Sequence, residues 1–254
     1  MKTKIIVFIW GVLALMAWQC TNKPTLTVKS PNGNIAVEFL LTQKGEAAYL
    51  INHKEPAAIE PSTLGFELKD APALQSDWKI INTSRQTVNE SWEMPWGEKR
   101  KVVNHYNELT VSLKESKTPS RRMDLIFRIY DEGVGFRYVF PEQQNMDQVL
   151  IADENTQFNL TGDHQTWWIP GDWDIYEHLY NTTPFTGIDA ISKRNNDNLA
   201  QTHIPVNAVN TPVTMKTAEG LHLSFHEADL TDYAGMTLQV LKDQLMMQSN
   251  LVGS

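Results

Sequence analysis

Apolar and polar positions alternate along most of this chain with a period of two, in short runs closed by Gly, Pro and Asn. Leu26-Thr-Val28 is followed by the turn Ser-Pro-Asn-Gly-Asn at 30–34 and then by Ile35-Ala-Val37-Glu-Phe39-Leu. The polar turn 43–46 leads into Ala48-Tyr-Leu-Ile51, which predicts a hairpin. Residues 52–61 read as a polar connection flanked by prolines. Residues 63–68 then read as one strand, with Leu64, Phe66 and Leu68 sharing a face. Residues 108–113 and 123–130 alternate again, and Asp131-Glu-Gly-Val-Gly135 is a turn that returns the chain as Phe136-Arg-Tyr-Val-Phe140. Further on, 211–215 and 221–225 predict two strands around Ala218-Glu-Gly220. Residues 236–252 read as the start of an element rather than its end, with no closing turn between Leu238 and Leu251.

Outside the N-terminus no helical period is sustained over three turns, no short repeat recurs, and no Gly/Ser linker divides the chain. Strands spaced about 8–12 residues apart with turn signals between them predict an all-β, antiparallel sandwich. The 254 residues suffice for one large β domain with an ample core.

The first twenty residues break the pattern. Met1-Lys-Thr-Lys4 is a basic start, and residues 5–18 are uncharged and apolar over the length of a signal peptide, short for a membrane span. Cys20, the single cysteine, follows directly and can form no internal disulfide. Residues 1–20 therefore read as a signal peptide, with Cys20 as the lipidation site that anchors a periplasmic protein to a membrane. Trp18 and Gln19 stand where a bacterial lipobox has small residues, so ordinary secretory cleavage is the alternative. Thirty acidic side chains against 22 basic ones give a formal charge of −8, which argues against a nucleic-acid partner.

Candidate chemistry gathers in residues 161–180, where three Trp, two Tyr and two His stand among Asp163, Asp172, Asp174 and Glu177 around a Pro-Gly turn. Aromatic platforms beside carboxylates suit a sugar, whose apolar faces stack on rings while its hydroxyls bond to acids and amides. A packing loop over a sandwich edge is the plainer reading. Asp172, Asp174 and Glu177 also offer three hard oxygen ligands within six residues, a pattern open to calcium although it matches no EF-hand. Gly133-Val-Gly135 lacks the third glycine and the helix of a dinucleotide site, and the histidines show no zinc spacing. His226-Glu227 with Asp229 reads as a capped turn, or as the His and Glu pair of a mutarotase-type epimerase.

Several stretches together resemble the N-terminal domain of glycoside hydrolase family 97. They are Pro61-Ser-Thr-Leu-Gly65, Pro95-Trp-Gly-Glu98, Asn104-His-Tyr-Asn-Glu-Leu109, Gly133-Val-Gly-Phe-Arg-Tyr138, Trp168-Ile-Pro-Gly-Asp172, and Met215-Lys-Thr with Gly220-Leu and His226-Glu-Ala228, all in the family's order. The resemblance implies a β-super-sandwich like galactose-mutarotase domains over residues 25–254, preceding a (β/α)₈ barrel. It implies an exo-acting, Ca²⁺-dependent α-glucosidase or α-galactosidase acting on α-linked oligosaccharides. By position it places one calcium ligand on Glu177 and substrate contacts near Asn198 and Gln201. Both catalytic carboxyl groups belong to the family's barrel, so the resemblance gives no acid of this chain that role. Two expectations follow: the chain is the N-terminal part of such an enzyme, inactive without the barrel, or it is a free-standing sandwich that binds carbohydrate without cleaving it.

Overall fold

The computed structural model describes residues 26–54, 56–194, 202, 204–231 and 233–251. Cys20, Asn198 and Gln201 lie outside the described residues. The architecture is β throughout, interrupted among the described residues by three single-turn 3₁₀ segments.

The first four strands, β1 (Leu26–Lys29), β2 (Ile35–Leu41), β3 (Ala47–His53) and β4 (Ala57–Leu64), form an antiparallel meander in which Val37, Phe39 and Tyr49 face inward and are fully buried. The predicted polar connection at 52–61 is shorter than expected, because β4 begins at Ala57. The single strand predicted over 63–68 is split at Gly65, and β5 (Phe66–Leu68) belongs to a different, two-stranded sheet with β10 (Ile151–Glu154). Gly65 is where the chain runs against residues 74 and 75: a Cβ there would lie 2.9 Å from the Leu74 carbonyl oxygen. Only glycine allows that approach.

Strands β6 (Trp78–Glu93), β7 (Lys101–Glu115), β8 (Arg122–Tyr130) and β9 (Val134–Val139) make a four-stranded sheet in sequence order. Every second residue of β8 (Met123, Leu125, Phe127, Ile129) is fully buried, as the period of two requires. This sheet packs on the β1–β4 meander through an aromatic cluster: Phe127 lies 6.2 Å from Phe39 and 6.3 Å from Tyr49, and Phe136 lies 5.3 Å from Tyr49, centroid to centroid. At the end of this sheet Glu115 and Arg121 form a buried pair at 2.6 Å, and the guanidinium also donates to the carbonyls of Pro72 and Ala73. Spare donors are thus satisfied, as a buried charge pair requires.

The meander does not stop at β4. It continues through β11 (Gln157–Leu160), β18 (Met246–Leu251), β17 (Met236–Leu241) and β14 (Ala208–Asn210), giving an eight-stranded sheet in the order β1-β2-β3-β4-β11-β18-β17-β14. Residues 236–251 are therefore a closed hairpin, contrary to the sequence reading. Its turn passes through Leu245 in the left-handed conformation (φ 49°), a position without the Gly or Asn that normally advertises such a bend. Over this half lies a second four-stranded sheet, β13-β12-β15-β16, made of β12 (Gln165–Trp168), β13 (Asn181–Pro184), β15 (Val213–Lys216) and β16 (His222–Phe225). Phe225 of this sheet meets Phe158 of β11 at 5.2 Å. One long sheet faced by two shorter ones is the antiparallel sandwich that the strand pattern predicts, in the super-sandwich form that the family resemblance implies.

Candidate functional site

The aromatic-acidic stretch begins on β12 and leaves the sandwich as a loop between β12 and β13. Inward-pointing Trp168 is 1 % exposed and its indole Nε1 donates to Thr183 Oγ1 at 3.0 Å. That ring is core, and the packing reading holds for it. Pro170 bridges Val209, and Gly171 donates its N–H to the Ala208 carbonyl at 2.8 Å. A Cβ on Gly171 would sit 2.8 Å from Ile204 Cδ1 and 2.9 Å from the Ala208 oxygen, so the Pro-Gly turn anchors the loop by close approach.

Asp172 organises the next turn of the loop. It is 4 % exposed. Its Oδ1 accepts the backbone N–H groups of Asp174 (2.9 Å), Ile175 (3.3 Å) and Thr202 (3.3 Å), and its Oδ2 lies 3.2 Å from His178 Nε2. Its own N–H donates to Asn210 Oδ1 at 3.0 Å, while Asn210 Nδ2 returns to the Ile175 carbonyl. Burial pushes the Asp172 carboxyl upward, but the converging donors outweigh it and hold the group below the ordinary aspartate value. Asp174 bonds the Thr202 hydroxyl.

Asp172, Asp174 and Glu177 consequently do not converge. Two of them secure the loop, and among the described residues no three His, Cys, Asp or Glu side chains gather as a metal cage. The three-carboxylate calcium cluster suggested by spacing alone is thereby corrected: short spacing in sequence placed acids on a curved loop that turns their side chains to different sides. Asp174 and Glu177 are both exposed, but Asp174 is tied to Thr202, which leaves Glu177 as the outward carboxylate not used to close the loop. It is exposed, and its Oε2 accepts the Tyr176 N–H at 3.2 Å. Around it Tyr176 (59 %), Leu179 (90 %) and Tyr180 (61 %) are exposed large apolar side chains, whereas the side chain of His178 is tucked in against Asp172. A carboxylate on a braced loop, with its second oxygen uncommitted among the described residues, can donate one oxygen ligand to a hard cation whose other ligands come from elsewhere.

His226 and Glu227 do not form a catalytic pair. Glu227 accepts from Thr211 Oγ1 (2.7 Å) and from the Met236 N–H (2.6 Å), and among the described residues exposed His226 bonds only the Glu227 carbonyl. The capped-turn reading stands. Sequence reading missed Glu154, 8 % exposed at the end of β10, which accepts from Thr156 and from the Tyr233 hydroxyl (2.8 Å). Burial outweighs those bonds and pushes its carboxyl up. Nothing in the local pattern marks it, since its partners come from residues up to 79 positions away.

The fold has counterparts in known proteins. The family model described as "Glycosyl-hydrolase 97 N-terminal" matches residues 28–251. A glycoside hydrolase family 97 enzyme from Pseudoalteromonas sp. strain K8, solved with acarbose and, as an E480Q variant, with panose, superposes with a TM-score of 0.76 at 34 % identity, covering 89 % of this chain. The retaining alpha-galactosidase of Bacteroides thetaiotaomicron is 24 % identical over 233 residues. A beta-arabinopyranosidase shares the fold, with a TM-score of 0.72 at 18 % identity. The chain spans 32 % of the length of the first two relatives and 35 % of the third. From the match over residues 28–251 and the shared sandwich, the chain belongs to the glycosyl-hydrolase 97 N-terminal family.

Proposed function

We propose that this sandwich is the N-terminal domain of a Ca²⁺-dependent, exo-acting α-glycosidase and lends Glu177 to a metal site completed by a catalytic domain. The single observation that carries the reading is the outward Glu177 carboxylate on a loop braced by Asp172 and rimmed by exposed Tyr176, Leu179 and Tyr180. An apolar rim of that kind suits a protein surface packed against it. The relatives extend the reading to substrate, since one family member was solved with acarbose and panose and another is an alpha-galactosidase. An α-linked glucoside or galactoside is the corresponding substrate class here, with Asn198 and Gln201 as proposed contacts. Calcium supplies a fixed positive charge that orients a sugar and stabilises developing negative charge beside it. Glu177 contributes a ligand oxygen and no proton transfer. The acid and base of hydrolysis are two carboxyl groups flanking the scissile bond, and the loop offers no such pair.

The test is calcium titration of Glu177→Gln in a chain of its relatives' full length. Loss of roughly tenfold or more in affinity, with slower turnover, is the expected result; an unchanged titration removes Glu177 from the metal. We also propose export of the protein to the periplasm and lipid anchoring at Cys20. The expected result for Cys20→Ser is release from the membrane fraction into the soluble one, and continued membrane fractionation rules the anchor out.

A further inference from the structure

The loop carrying Glu177 leaves one end of β12. At the other end a second feature opens, a polar cleft of about 580 Å³ between β4, the start of β12 and the turn joining β15 to β16. That volume falls in the range of small-molecule sites. Glu60, Gln165 and Lys216 line it, and among the described residues their side chains make no hydrogen bond or ion pair within the protein. Other lining groups are committed: Asp163 accepts from the Thr186 N–H and hydroxyl, each at 2.8 Å, and buried His164 bonds Thr161 at 3.0 Å. The cleft thus pairs a fixed wall with three free polar arms: a carboxylate, an amide and an ammonium group.

Register carries the cleft onto the outer face of the β13-β12-β15-β16 sheet. Gln165 pairs with Lys216 and Lys216 with His222, while one row along Trp167 pairs with Thr214 and Thr214 with Ser224. Thr182 of β13 is opposite Trp167 on the remaining side. The Trp167 indole lies nearly parallel to the His222 imidazole, at 19° and 6.4 Å between centroids, and stays partly exposed. A planar ring flanked by hydroxyls, next to a cleft of uncommitted donors and acceptors of both charge signs, complements a neutral polyhydroxylated ring: apolar sugar face on indole, hydroxyls on Lys216, Gln165 and Glu60.

We propose that this cleft, at the start of β12, and the Trp167 platform two residues along the same face form a second, non-catalytic oligosaccharide-binding site, separate from the Glu177 carboxylate. The choice of an α-linked sugar rests on the function proposed above; the site itself does not depend on Glu177. The experiment is calorimetric titration of the 254-residue chain with maltotriose and, separately, with melibiose. Saturable binding of at least one sugar is expected, weakened roughly tenfold by Trp167→Ala and by Lys216→Met, the loss of one stacking surface or one charged hydrogen bond. Glu177→Gln is expected to bind as the parent does. Lys216 is exposed, so its variant keeps the test valid should Trp167→Ala fold poorly. Failure of both sugars to bind, or binding unaffected by Lys216→Met, overturns the proposal. Loss of binding with Glu177→Gln alone would instead place the sugar at the Glu177 loop.

Discussion

Asp172 is a carboxylate that works through backbone. Three N–H groups and one imidazole converge on it, and the outward pose of Glu177 five residues later depends on that convergence. Its folded-state pKa is depressed, so its contribution to stability is present above the unfolded value, about 3.9, and fades as pH falls through the lower folded value. Asp172→Asn keeps the shape and removes the charge. The expected cost is about 1–2 kcal/mol near neutral pH, the difference between charged and neutral acceptors. Thermal melts from pH 7 downward should show parent and variant converging in acid; a constant gap at all pH values would show that charge is not what holds the loop.

The same loop shows what sequence can and cannot disclose. Its Pro-Gly turn, its aromatics and its acids were all visible, and the resemblance singled out Glu177. That Asp172 is structural was not visible, because its partners Thr202 and Asn210 arrive from 30 and 38 residues away. Burial decides the matter as well: Trp167 and Trp168 are adjacent in sequence, yet the pleat sends one outward and the other into the core.

Among the elements, β6 and β7 depart furthest from a compact sandwich. Beyond Val88 and Tyr106 the two strands pair only with each other, as a ribbon extending to Glu93 and Lys101. Trp92 (46 %), Met94 (38 %), Trp96 (79 %) and Val103 (59 %) are exposed along it. A two-stranded ribbon adds little stability of its own. Replacing residues 92–102 by an Asn-Gly turn should change unfolding free energy by less than about 1 kcal/mol in denaturant titrations. A larger loss would show that the ribbon supports the sandwich. Alternation made β7 and β8 legible from residue 108 onward, where one face is buried. It failed over residues 82–93, which are mostly exposed and so under no pressure to alternate.

At the scale of the whole molecule, the predicted sandwich is present, but the sheet order was beyond sequence reasoning. Local patterns specify strands; which strands become neighbours depends on contacts far apart in the chain. The β17–β18 hairpin is the strongest case, because it sits between β11 and β14 and completes the eight-stranded sheet. A chain ending before Met236 is therefore expected to lack cooperative unfolding, since β11 keeps only β4 as a neighbour, β14 loses its strand partner, and Leu238, Val240 and Met247 leave the core. Calorimetry is the check: a sharp transition of near-parental enthalpy in the shortened chain would contradict it.

That central placement bears on synthesis. A ribosome delivers β11 and β14 well before β17 and β18, so the nascent chain holds two unsatisfied strand edges until the last of residues 236–251 has emerged. The large sheet can close only after translation has passed that point. Until then the edges of β11 and β14 stay open to pairing with another chain.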